Sequence, residues 1–170
     1  MTEKRFARAL WNYGKLTFPD RNGFIRLLDY EFPLSATANN KGIGEVDLLG
    51  VTDGGVLSII ELKYMKEGRS SNDSPLFALV EALRYYAIIE ANLELIKVAV
   101  DKKRKKAAKI NDQRWQIPDL VGKPSIQLIG NTRYWNYWLD SDRLNKIGDW
   151  QVKFNELLAS IQGKLGIETE

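Results

Sequence analysis

The stretch GIGEVDLLGVTDGGVLSIIELKY, residues 42–64, decides how the chain is read. Two apolar runs flank the turn signal Thr52-Asp53-Gly54-Gly55, which predicts a β-hairpin with one strand over residues 45–51 and its return over 56–64. Both runs carry charges where a strand would normally hide aliphatics. Side chains alternate along a strand, so Glu45, Asp47, Leu49 and Val51 share one face of the first strand, and Leu57, Ile59, Glu61 and Lys63 share one face of the second. A three-residue loop over 53–55 sets Asp47 opposite Glu61 and Glu45 opposite Lys63. A loop of two or four residues would slip that register by one.

Like charges facing each other across a ladder destabilise a sheet, and a divalent cation removes the conflict. Oxygen ligands on a rigid platform suit Mg²⁺ or Mn²⁺, with water and phosphate oxygens filling the other positions, which makes Asp47 and Glu61 candidate metal ligands. Lys63, two residues beyond Glu61 on the same face, could hold or help deprotonate an attacking water while compensating charge that builds on phosphorus. Glu45 is an auxiliary acid or the partner of Lys63. The chemistry described is metal-assisted hydrolysis of a phosphodiester. The other reading of the same residues is an exposed hairpin whose acids and lysine are solvated or ion-paired.

Asp47, thirteen intervening residues, then Glu61-Leu62-Lys63 resembles the PD-(D/E)XK nuclease superfamily, the fold of many restriction endonucleases, resolvases and repair nucleases. Val46 stands where the family's signature has Pro. The resemblance spans roughly residues 27–100 at the level of motifs. It implies an α/β fold with a restriction endonuclease-like core, the Asp and the E-x-K element on adjacent antiparallel strands, and a magnesium-dependent nuclease. Some members bring a further acid from an N-terminal helix, here Glu3, and Glu31 on the strand before the hairpin could also approach the metal. The helix after the hairpin often turns a Gln, Glu or Tyr towards the centre, which singles out Glu81 and Tyr85, one turn apart.

Composition narrows the chemistry from another side. The 170 residues contain neither cysteine nor histidine. That excludes disulfides, thiolate nucleophiles, Ser-His-Asp catalysis and the usual zinc hydrolase sites, leaving oxygen-ligated metal chemistry as the main hydrolytic option. A net charge of +3 permits a nucleic-acid partner without demanding one. No apolar run reaches the ~20 residues of a membrane helix and no secretory segment opens the chain, so a cytoplasmic protein with no membrane partner is expected. The length suits one domain over residues 1–170.

Working outward, residues 2–13 read as an amphipathic helix with Phe6, Ala9, Leu10 and Tyr13 on its apolar stripe, ended by Gly14. Residues 24–34 read as a strand and 35–42 as a polar loop beside the site. Ser74-Pro75 opens a helix running to about residue 92, with Leu76, Leu79, Val80, Leu83 and Ala87 facing the sheet. Residues 95–100 suit a buried strand beside the hairpin. Lys102, Lys103, Arg104, Lys105 and Lys106 form the strongest charge run, either a solvated surface or a grip on a phosphate backbone. Residues 125–130 read as a strand, the aromatic run 133–138 as core packing rather than base stacking, and 144–165 as a terminal helix.

The expectation is a single-domain Mg²⁺- or Mn²⁺-dependent nuclease acting on DNA, with RNA left open, and a homodimer wherever both strands of a duplex are cut. The alternative is a catalytically inactive protein of the same fold that binds nucleic acid or a protein partner.

Overall fold

The structure, a computed structural model, describes residues 2–18, 23–34, 44–68, 73–140 and 150–165. Its centre is a five-stranded sheet in the order β1 (Lys15–Thr17), β2 (Phe24–Leu34), β3 (Gly44–Thr52), β4 (Leu57–Lys63), β5 (Ser125–Gly130). The first four strands pair antiparallel in sequence order and β5 joins β4 in parallel, giving a mixed α/β architecture. The expected hairpin and the strands over 24–34 and 125–130 are present. β1 was not expected: three residues after Gly14 suffice to add an edge strand to β2.

Every residue of β4 is buried. Leu57 and Ile59 face one core and Ile60 and Leu62 the other, so each aliphatic contributes about 1.5–3 kcal/mol of burial. That contribution offsets what Glu61 and Lys63 cost on the same strand.

Helix α1 (Glu3–Tyr13) packs on the face lined by Leu27, Leu48, Ile60 and Leu62. Thr2 caps it and Gly14, at φ 89°, ends it in the left-handed region. Its inward stripe is Phe6, Ala7, Leu10 and Trp11. The expected stripe was rotated too far, since Ala9 is exposed and Tyr13 is 74% exposed. The other face is covered by α2 (Pro75–Ala91), which begins as expected with Ser74 accepting from the Phe77 N–H. Pro75, Ala78, Leu79, Ala82, Tyr85, Tyr86 and Ile89 are its buried side chains. Val80 and Ala87 face outward instead of the sheet, because small alanines let the helix approach closely along a neighbouring stripe.

The expected strand over 95–100 is instead part of α3 (Leu93–Ala108). Leu93, Ile96, Val100 and Ala107 recur at helical spacing towards the core while Leu95 and Val98 point outward. The place beside β4 goes to β5. A 3-10 turn, Gln113–Trp115, follows α3. Residues 132–139 form α4 (Thr132–Leu139), and its Tyr134 and Trp138 join Trp150 of α5 (Trp150–Leu165) in a separate aromatic core, as the packing reading of 133–138 required. The expected loop over 35–42 and the start of the terminal helix before residue 150 lie outside the described residues. Among the described residues no helix is long and apolar enough to cross a membrane.

Candidate functional site

The hairpin turn fixes the site. The Thr52 N–H donates to the Val56 carbonyl at 2.9 Å, and the Thr52 hydroxyl oxygen accepts from the Val56 N–H at 3.0 Å, closing a three-residue loop over 53–55. Gly55 sits at φ 86°, and a Cβ there would meet the Asp119 carbonyl oxygen at 2.3 Å, so the position admits only glycine. The resulting ladder runs Val51↔Leu57, Gly50↔Ser58, Leu49↔Ile59, Leu48↔Ile60. One step further in that register, Asp47 lies opposite Glu61, the relation expected from turn length.

At that step the regular pairing ends towards β4 and skips one position towards β2. Towards β4, Asp47 Oδ2 accepts from the Leu62 N–H at 2.8 Å, a carboxylate standing where a strand carbonyl would be. Towards β2, the residue in register is Glu31, held at φ 50° between the pairs Tyr30↔Leu48 and Phe32↔Val46. A left-handed non-glycine residue costs roughly 1–3 kcal/mol. The sheet is therefore distorted at the residue that carries the first acid.

Glu61 and Lys63 are 4% and 6% exposed. Lys63 Nζ donates to Glu61 Oε1 at 2.8 Å and to Glu81 Oε2 at 3.0 Å, so α2 delivers the second acceptor across the sheet face. Glu61 Oε2 is buried with no hydrogen-bond partner. Burial, and then the negative charge of Asp47, push the Glu61 carboxyl up to about 8, against the pull of Lys63. Burial also raises Asp47, to about 6, opposed by the Leu62 N–H and reinforced by the charge of Glu3. For Lys63, burial works against the ammonium, but Glu61 and Glu81 outweigh it and hold the group well above its ordinary range. Two reluctant acids flank one firmly charged lysine, and negative charge is in excess.

The structure thus brings Asp47, Glu61, Lys63 and Glu81 together. Glu3 is adjacent: its Oε2 accepts from the Tyr64 N–H at 2.8 Å and its charge reaches Asp47. Tyr85 is buried beside Gly44, where an added Cβ would come within 3.0 Å of its hydroxyl, and Arg84 Nη2 donates to that hydroxyl at 3.4 Å. Glu45 is a correction. It is exposed opposite Pro33, and the partners of Lys63 are Glu61 and Glu81. Glu31, half-buried, pairs with Lys4 of α1.

The cation run also sits differently from its expected place after a strand. Lys102, Lys103, Arg104, Lys105 and Lys106 wind around the last turns of α3. Lys103 pairs with Asp29, Arg104 with Asp101 and Asp119, and Lys105 with Asp101, so three of the five are engaged within the protein.

Sequence reading missed Asn131. Its side-chain amide clamps Met65, accepting from the Met65 N–H at 3.1 Å and donating to the Met65 carbonyl at 2.9 Å. Its own N–H donates to the Lys63 carbonyl, and its Oδ1 also caps α4 through the Tyr134 N–H at 3.1 Å. An Asn between a strand and an aromatic-rich helix is an N-cap signal, and the cap here also anchors the end of the strand that carries Glu61 and Lys63.

The donor set fits a hard divalent cation. Glu61 has a buried oxygen without a partner, next to a carboxylate whose other oxygen is already bonded. Among the described residues no three His, Cys, Asp or Glu side chains form a ready-made cage. Mg²⁺ commonly binds through one or two carboxylates and keeps its waters, so two acids suffice. Fold and site together define a mixed α/β protein with a buried carboxylate-lysine centre. Compared with family models, with curated proteins and with solved structures, the chain has no match.

Proposed function

We propose that this chain is a Mg²⁺- or Mn²⁺-dependent nuclease of the PD-(D/E)XK type, built on a restriction endonuclease-like core and hydrolysing DNA phosphodiester bonds. The observation that carries the reading is the buried, unpartnered Glu61 Oε2 lying in register with Asp47 and two residues from Lys63. A purely structural ion pair would leave no carboxylate oxygen stranded in the interior, since such an atom costs about 1–3 kcal/mol or more.

Asp47 and Glu61 would hold the ion, which supplies charge neutralisation at a phosphoryl oxygen and a water of lowered pKa. Asp47 is fixed for this by the Leu62 N–H. Lys63 has three N–H groups, of which Glu61 and Glu81 take two. The third is left for the attacking water or a phosphate oxygen, and the ammonium stays charged throughout. Glu81 is a positioning residue that aims Lys63. One such centre cuts one strand, so cleavage of both strands of a duplex would call for a homodimer.

The test is incubation of the protein with supercoiled plasmid and with single-stranded DNA in Mg²⁺, Mn²⁺ or EDTA, beside Asp47→Ala. Cleavage is expected with either metal, none in EDTA, and none from the variant although its circular dichroism is unchanged. Equal cleavage by Asp47→Ala would remove this centre from the reaction.

A further inference from the structure

A second charged locus lies at the other end of α1 from Glu3, about 16 Å away at 1.5 Å per residue over the 11-residue helix. Tyr13 and Gly14, Lys15 of β1, Arg26 of β2 and Arg114 of the 3-10 turn line a groove of about 340 Å³ there. Lys15 and Arg26 are direct cross-strand partners, a like-charge pair that weakens a ladder unless something anionic compensates it. Both lie over the Phe24 ring, at 5.7 and 5.5 Å from its centroid, and Arg114 stacks on Trp11 at 4.0 Å. Arg26 Nη1 also donates to the Gln113 carbonyl at 3.1 Å. Among the described residues no carboxylate pairs with Lys15, Arg26 or Arg114. The one acid in the lining, Asp112, turns its carboxylate to the Arg114 N–H at 3.0 Å.

A guanidinium seated over an aromatic ring is held in place while keeping N–H groups for an anion. Although Arg26 gives one of its five to Gln113, the remaining donors of both arginines can grip phosphate oxygens. Two guanidiniums and the Lys15 ammonium around one concavity, on three different elements, form a prearranged anion site. In α3, by contrast, Lys103, Arg104 and Lys105 already have carboxylate partners. We propose that this groove is a subsite for the phosphodiester backbone of a nucleic-acid strand, held by Lys15, Arg26 and Arg114 away from the cutting centre. The choice of nucleic acid among polyanions rests on the nuclease reading.

The test is fluorescence anisotropy of a labelled oligonucleotide about 20 nucleotides long, single-stranded and as a duplex, titrated in EDTA over a range of salt. The full chain carrying Asp47→Ala is compared with the same chain also carrying Lys15→Gln and Arg114→Gln. The double substitution is expected to weaken binding about tenfold and to lower the salt slope by roughly 0.7–0.9 for each phosphate that is no longer neutralised. Lys15→Gln alone, at an exposed position, reads the effect if the Arg114 change disturbs folding. Lys102→Gln with Lys106→Gln is expected to do less. Unchanged affinity and slope in the groove variants, or an equal loss from the α3 pair, would overturn the proposal. Because nothing is cut in EDTA, a chain that binds through the groove and never cleaves would sink only the nuclease reading.

Discussion

The β4–α2 centre and the cation run of α3 both concentrate charge, and they differ in almost every other respect. On β4 and α2, Glu61, Lys63 and Glu81 meet Asp47 in the interior, and the environment raises both Asp47 and Glu61 far from their ordinary values. On α3, five consecutive cations stand mostly exposed, and three of them, Lys103, Arg104 and Lys105, bond to acids of their own helix or of neighbouring segments. The second region is denser in sequence, yet the first has the makings of a reactive centre. Desolvation makes the difference: an exposed ion pair is worth about 0–1 kcal/mol, whereas a buried charge must be paired or neutralised.

The sharpest way to break this contrast is Lys63→Met, which keeps the stem and removes the charge. It leaves Glu61 and Glu81 without their shared partner, and a loss of about 3–5 kcal/mol of stability is expected by urea unfolding, alongside loss of cleavage. Adding Glu61→Gln should recover part of that stability and none of the activity. A near-neutral Lys63→Met would show that the buried lysine balances nothing.

A smaller effect concerns pH. Glu61 has its folded value raised from 4.5 to about 8 and Asp47 from 3.8 to about 6. Between those limits the unfolded chain has released protons that the folded chain retains, so rising pH favours unfolding. Lys63 is protonated in both states across this window and contributes no slope. In EDTA, Tm should therefore fall from about pH 5 to pH 8, and Mg²⁺ should recover more at pH 8 than at pH 5. A Tm in EDTA that rises over this interval would contradict the assignment of the two acids. The smallest effect belongs to α3, where Lys102→Ala with Lys106→Ala should change stability by less than about 0.5 kcal/mol and leave the metal requirement unchanged.

What the sequence made legible follows the same division. The hairpin was readable down to its register because Thr52-Asp53-Gly54-Gly55 encodes the loop length locally, and setting Asp47 and Glu61 on one sheet face needed only that register and alternation. Glu81 was singled out through the family resemblance and its position in the helix, and the cap at Ser74 through Ser-Pro. Residues 95–100 were not, since a short apolar run fits a strand or a helix equally, and the choice was made by β5 claiming the edge of β4 from far along the chain. Glu45, expected as an auxiliary acid or the partner of Lys63, is not that partner for a related reason. Ladder register names the residue opposite, but the β2–β3 ladder is interrupted where Glu31 faces Asp47, and a helix side chain from α2 reaches Lys63 instead. The clamp from Asn131 and the groove of Lys15, Arg26 and Arg114 join residues separated by tens of positions, which no local pattern encodes.

Sharing of one divalent ion by Asp47 and Glu61 is the claim from which the rest follows. Mn²⁺ titration of the intact protein followed by electron paramagnetic resonance measures it without reference to any substrate. One bound ion per chain is expected at neutral pH, lost in Asp47→Ala and in Glu61→Gln and retained in Lys102→Ala. Binding of the same stoichiometry and affinity in all three variants would contradict it.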